Sequence, residues 1–394
     1  MSDQQLDISR YDGWLQDGSG VAALVMRQLL EPVEGKDAII FPPTYLKPER
    51  MRDEDWPGYN IDSFGDGTNV CLLDSVGSQA NRMEPIFKRE THKELVPQVV
   101  IKAAGKIVNL LDAGHRAGDA IARFAGKMQE DETTAGQTLS EQLWDAFQAW
   151  QECGDAELLA RIAPTSLVFG AWDSRATQAK VPRVVRSVIR AYNVKRCTRS
   201  AQFTTPLHYV DEGLIDESLD KGEGEKNPLS QEGFRHSPAA GSHGGVQVLG
   251  DIRRDVSLNL VALRTLGVTS VKDEKPEDTE QRLLRLRRYI LGLALVALTQ
   301  KDGQQFNLRE GCLLRVRESS VWHVVPFEGE KPPVSIDADM ALTFAQSVAK
   351  NFGVQTFAKA FVFDSEKANK WLALKKEDRD KLRRKGSVVT QALK

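Results

Sequence analysis

The chain has 394 residues, with 53 Lys and Arg against 55 Asp and Glu, and 41% of its side chains are apolar. This supports a real core, in one large domain or two to three smaller ones, and excludes both global disorder and a chain that is basic throughout. Four widely spaced cysteines (Cys71, Cys153, Cys197, Cys312) with no CxxC pair argue against a disulfide framework or a zinc site and fit a reducing cytosol.

The opening MSDQQLDISR is polar and has no signal-peptide core. Residues 14–30 read as an opening helix with a short strand before it, and 39–41 as a strand stopped by Pro42 and Pro43. Residues 44–68, rich in Pro, Gly, Asp and aromatics, read as an irregular insertion. A strand at 69–73 leads into a helix at 76–83, with Asp74 as N-cap. Val76, Ala80 and Met83 form its buried stripe, and Ser75, Ser78, Gln79 and Arg82 share the opposite face with Asn81 at the margin. Such a row suits phosphate, sugar and base edges, and also suits a plain solvated helix.

Residues 97–111 begin as a strand. Helices follow at 114–128 and 140–150, separated by a polar loop at 129–138, and another short one at 155–162. Residues 167–169 read as a short strand. The segment 211–245 is an acidic and Gly-rich insertion: eight acids stand against two lysines in 211–232, and PAAGSHGG follows at 238–245. Those glycines have no lysine and helix after them, so they mark a hairpin tip or a close backbone approach rather than a phosphate loop. A strand at 246–249, helices at 256–266 and 280–299, strands at 313–317 and 321–327 and a helix at 338–350 complete the pattern. Residues 365–394 are a charged C-terminal extension. The most apolar run, 289–298, is too short, and too closely headed by Arg282, Arg285, Arg287 and Arg288, to span a bilayer. The irregular alternation of strands and helices argues for an α+β fold.

One stretch departs from the balanced charge. The 37 residues between Asp173 and Asp211 contain no acid, yet hold Arg175, Lys180, Arg183, Arg186, Arg190, Lys195, Arg196 and Arg199. A local field of one sign attracts polyanions, and nucleic acid is the commonest. PRVVRSVIRAY at 182–192 reads as a helix with Arg183, Arg186 and Arg190 on one face and Val184, Val185, Val188, Ile189 and Tyr192 on the other. Arginine forks fit phosphate oxygens two at a time. The candidate RNA-binding residues are therefore Ser75, Ser78, Gln79, Asn81, Arg82, Arg175, Lys180, Arg183, Arg186, Arg190, Arg196 and Arg199. No Walker A, HExxH or G-x-S-x-G motif is present, the six histidines are scattered, and no cofactor or metal is expected. Asp74 and Asp173 each lie near the RNA candidates, so a loop aspartate of an RNA endonuclease is the catalytic alternative.

Four blocks carry a resemblance: NVCLLDSVGSQANRMEPIF at 69–87, SLVFGAWDSR at 166–175, PRVVRSVIRAYNVKRCTRSAQF at 182–203 and GGVQVLGDIRRDVSLNLVALRTLG at 244–267. Together they resemble the backbone subunit of a type I-G (formerly I-U) CRISPR interference complex, a member of the RAMP superfamily. The resemblance runs from about residue 39 to 300. It leaves out the acidic loop and the C-terminal extension. It implies an RRM-like (ferredoxin-like) antiparallel sheet with large helical and loop insertions, arranged as a hand of palm, fingers and thumb, with 211–245 a candidate thumb or finger. It further implies a non-catalytic, cytoplasmic subunit that polymerises head to tail along a CRISPR RNA and presents the guide to target DNA. The implied partners are a fused cap and RNA-processing subunit and a large subunit that reads the protospacer-adjacent motif. A stand-alone RNA-binding module is the other alternative.

Overall fold

The computed structural model describes residues 7–52, 56, 58–128, 137–199, 201–222, 226–239, 243–301, 303–357 and 360–384. Most of the polar loop at 129–138, and parts of the insertions at 44–68 and 211–245 and of the extension at 365–394, lie outside the described residues.

The centre is an antiparallel sheet built from β1 (Val21–Pro32), β2 (Asn69–Asp74), β3 (Val185–Tyr192), β4 (Ile252–Asn259), β5 (Cys312–Val316) and β6 (Trp322–Pro326). Along the sheet the order is β5 and β6, then β1, β4, β3 and β2, with Ile61–Ser63 at the far edge. β5 and β6 share one edge of β1: β5 pairs at Leu30–Pro32 and β6 over Val21–Met26. Without β2, the four positions read fourth, first, third, second in chain order. That is the ferredoxin-like, RRM-like arrangement. Its two helices are α1 (Val76–Met83), between β1 and β3, and α2 (Pro276–Thr299), between β4 and β5. The fold is α+β, as the alternation of elements implies.

Two central strands occupy segments that read as helices. Residues 14–30 form one helical turn, Asp12–Leu15, and then β1; residues 182–192 form β3. The run VAALVMRQLL is apolar at both even and odd positions, so it fits a helical and an extended period equally. In 182–192 the arginine spacing mimics a helix, but Val184, Val185, Val188, Ile189 and Tyr192 are the β-branched and aromatic types that pack on a pleated surface. Residues 256–266 likewise finish β4 before a short helix, Leu260–Arg264, starts at Asn259, whose side chain accepts from the Ala262 N–H at 2.9 Å. Residues 114–128 hold only two short helical turns, a 3-10 turn at Arg116–Gly118 and an α-helical one at Ala120–Arg123, and end in a strand, Ala125–Met128. Residues 167–169 belong to a buried helix, Thr165–Phe169.

One face of the sheet is covered. Leu24, Met26, Val185, Val256 and Leu258 meet Ile290, Leu293 and Ala294 of α2, and behind them α3 (Ala338–Phe352) supplies Phe344 and Val348. At Gly292 a Cβ would stand 2.8 Å from Val348 and 3.1 Å from the Ala345 backbone, so the two helices close only over glycine. Toward the other end of the same face lies a second apolar core, with Leu30, Leu73, Ile189, Ala191, Val248, Ile252, Phe306 and Leu314.

A polar row separates the two cores. Gln28 lies between Met26 and Leu30, Ser187 between Val185 and Ile189, and Arg254 between Ile252 and Val256. Arg254 is 1% exposed; its Nε donates to Ser187 Oγ and its guanidinium to Gln28 Oε1, both at 2.8 Å. Ser187 Oγ donates to Gln79 Oε1 at 2.8 Å. Gln79 Nε2 donates to Asp74 Oδ2 at 2.7 Å and to the Gln305 carbonyl at 2.9 Å. Arg82 Nε closes the chain on Asp74 Oδ2 at 3.1 Å. The network ties β1, β2, α1, β3 and β4 together, and its one carboxylate is Asp74. Removing a buried ion's partner costs more than the pair contributes. Asp74→Ala is therefore expected to lower stability by about 2–5 kcal/mol, read from urea unfolding. A loss below about 1 kcal/mol would show that the row is not what fastens these elements.

Candidate nucleic-acid interface

Strand geometry, rather than a helix face, places the arginines. With a period of two, Arg186, Val188, Arg190 and Tyr192 point to the uncovered face of the sheet, while Ser187, Ile189 and Ala191 point to the cores. The expected grouping of Val188 with Ile189 thus fails: Val188 is buried, but it belongs to neither apolar core and lies in the arginine row. Arg183 precedes the strand and is not part of that row.

On the uncovered face Arg186 lies opposite Ser257, Val188 opposite Asp255, and Arg190 opposite Arg253. β1 adds Arg27 opposite Asp255. Arg27 donates to Asp255 at 2.9 Å, and that hydrogen bond raises its pKa. Arg253 pairs with Asp251 at 3.3 Å and lies over the Tyr192 ring at 4.3 Å from its centroid. Arg186 and Arg190 have no carboxylate partner among the described residues. Two guanidiniums directly opposite each other, Arg190 and Arg253, repel, and a bound anion would relieve that repulsion. Arg27, Arg253 and Tyr192 share this face and were not among the sequence candidates; for Arg253 the signal was the alternation of β4, in which Arg253, Asp255 and Ser257 fall on one side.

The rest of the basic stretch flanks this face. Arg175 and Lys180 are exposed on a hairpin formed by Ala171–Trp172 and Lys180–Val181. Arg183 is half-buried; burial first, then the Arg116 and Arg186 charges, lower its pKa. Gly170, at φ +78°, admits it: a Cβ there would stand 3.2 Å from Arg183 Cβ. Lys195 and Arg196 are exposed on the strand Val194–Thr198, and Arg199 is exposed just beyond.

The α1 row is divided. Ser75, not Asp74, is the N-cap, accepting from the Ser78 N–H at 3.2 Å. Gln79 does not share the solvent face: it is fully buried in the polar row, because Asp74 and Ser187 both need its amide. Arg82 spends its guanidinium on Asp74 and on the carbonyls of Asn307 and Leu308. Ser75 and Ser78 are half-exposed and Asn81 is exposed, its Oδ1 accepting from Arg116 at 3.0 Å. Asp173, 3% exposed, accepts from the Thr177 N–H and hydroxyl, both at 2.8 Å, and so shapes the hairpin loop. Among the described residues no group of three or more His, Cys, Asp or Glu side chains converges to hold a metal ion. No helix among them is long and apolar enough to cross a membrane.

Behind Asn81 and Arg183, Arg116 forms a buried pair with Glu84 at 2.7 Å. Burial pushes the Glu84 carboxyl up to about 7, against the pull of Arg116.

The family model described as CRISPR-associated protein GSU0053 matches residues 24–196, from β1 through β3 and into the strand that carries Arg196. The match supports a CRISPR-associated protein with a role in CRISPR defence. No curated protein matches the chain.

The Glu84 shift carries a sign. An acid that holds its proton more tightly when folded contributes fully below its ordinary value of 4.5, and that contribution is lost as pH rises through about 7. Wild-type stability relative to Glu84→Gln is thus expected to fall between about pH 5 and pH 8, by on the order of 3 kcal/mol in total. Urea midpoints at each pH measure it. A difference that does not vary with pH would mean that Arg116 keeps Glu84 ionised throughout.

Proposed function

We propose that this chain is a non-catalytic CRISPR RNA-binding backbone subunit of a type I-G interference complex. Several copies stack head to tail along the guide, which then pairs with target DNA. A fused cap and RNA-processing subunit and a large motif-reading subunit complete the assembly. The observation that carries the reading is the pair Arg186 and Arg190: unpaired arginines on the uncovered face of an RRM-like sheet, inside the segment similar to a CRISPR-associated family. Phosphate contacts from such residues hold RNA without reading its sequence, as a variable guide requires. The near-neutral total charge suits a protein that packs against copies of itself, and contacts that do not close on themselves extend into a filament. Cleavage by Asp74 or Asp173 is not part of the proposal. Both are buried, and each has one carboxylate oxygen engaged in hydrogen bonds within the fold.

The test uses Arg186→Gln with Arg190→Gln. Both side chains project from the uncovered face, so thermal melting should change little. Affinity for guide RNA should fall to a similar extent for two unrelated guide sequences. The slope of log affinity against log salt should become shallower by about 0.7 for each phosphate that is no longer neutralised. Loss of one guide with retention of the other would mean that these residues read bases. Mass photometry with a full-length guide should show one defined multi-copy species; a single copy per guide would rule out the filament.

A further inference from the structure

We propose that Trp172 is a stacking platform for an unpaired base of the RNA, set at the end of the arginine row; this rests on the RNA-binding reading above. Trp172 is 55% exposed, whereas the other six tryptophans are buried or half-buried. An exposed indole contributes little to folding. Here it stands just ahead of the acid-free basic stretch, separated from it by Asp173 alone, and its ring already carries one cation: Lys180, its cross-strand partner, has its Nζ 5.1 Å from the ring centroid. Arg175, Gln178 and Lys180 are exposed on the same hairpin, and the chain continues through Arg183 into β3 with Arg186 and Arg190. Bases stack on aromatic faces beside cationic groups whatever their identity, since every base has a π-face.

The hairpin is held in place around the indole. The Trp150 indole N–H donates to the Lys180 carbonyl at 2.9 Å. The Asp173 N–H donates to the Ala179 carbonyl at 3.0 Å and the Gln178 N–H to the Asp173 carbonyl at 2.9 Å. Ala176 packs on Trp144, and Gly118 lies so close beneath that a Cβ there would stand 2.9 Å from the Trp172 carbonyl oxygen. The platform is therefore positioned before any ligand arrives, and its entropic cost on binding is small. The Asp173 carboxylate, which could repel a phosphate, is turned inward onto Thr177.

The experiment compares a short single-stranded RNA of mixed sequence with its abasic-backbone counterpart, on the full chain. Wild type should prefer the base-bearing RNA. Trp172→Ala should lose about 5- to 150-fold in affinity for it, little for the abasic strand, and keep the same salt slope. Trp172→Phe should restore most of the preference, with thermal melting unchanged in both variants. Photocrosslinking of RNA carrying 4-thiouridine should label the tryptic peptide 162–175. If wild type binds RNA but Trp172→Ala keeps the full preference, or loses only the number of copies per guide, Trp172 is not a stacking residue and the inference fails while the RNA-binding reading stands. If wild type binds neither strand, the RNA-binding reading itself falls.

Discussion

A charge sits where the two apolar cores meet. Arg254 is fully buried, and burial lowers its pKa to about 10, which leaves it charged at neutral pH. A guanidinium cannot escape burial by losing its proton, so the surroundings must supply acceptors. They do so through a relay: Gln28 and Ser187 accept directly, Gln79 Oε1 accepts from the Ser187 hydroxyl, and Asp74 accepts from Gln79 and Arg82. Each member comes from a different point along the chain, so the relay forms only when β1, β2, α1, β3 and β4 are in register. Hydrophobic contact is tolerant of slippage; directional hydrogen bonds to a buried ion are not.

This constraint settles what the uncovered face can do. A slip of one residue in β3 would send Arg186 and Arg190 into the cores and Ser187 to solvent. By fixing Ser187 inward, the relay fixes the two arginines outward. One strand thus carries a structural polar row on one side and a basic row on the other. Two carboxylates beside these arginines are already paired, Asp255 with Arg27 and Asp251 with Arg253, with Arg317 also at 3.5 Å from Asp251. Arg186 and Arg190 are left with charge to offer a polyanion.

The connection from β3 to β4 carries the insertion at 211–245. It leaves the sheet as Val194–Thr198 and returns as His243–Val248, paired antiparallel. The glycines at the return are close-approach positions. A Cβ at Gly244 would stand 2.5 Å from the Cys197 carbonyl oxygen, and one at Gly245, at φ +83°, 2.7 Å from that of Ile40. Asn227 is fully buried and holds the Gly222 carbonyl and the Leu229 N–H, so the acidic segment has local order of its own. On it Leu214 and Leu219 are exposed, beside a majority of acidic charge.

Composition and charge pattern were enough to show an α+β chain and to locate its basic segment, because acid-free runs and mixed element lengths are properties of the sequence itself. The helices 139–153, 276–299 and 338–352 were legible too, since each is long and amphipathic or uniformly apolar. What sequence did not decide was the conformation of the central strands. Val25 and Leu29 in residues 21–32, and Val188 and Tyr192 in residues 185–192, stand on the uncovered face, so apolar side chains fall at both parities and the period of two is blurred. The burial of Gln79 and Arg254 was equally hidden: as letters they are polar, and only a partner contributed from more than 60 residues away makes their burial tolerable. Which arginines stand unpaired was therefore settled by tertiary structure alone, because pairing depends on which carboxylates the register brings opposite them.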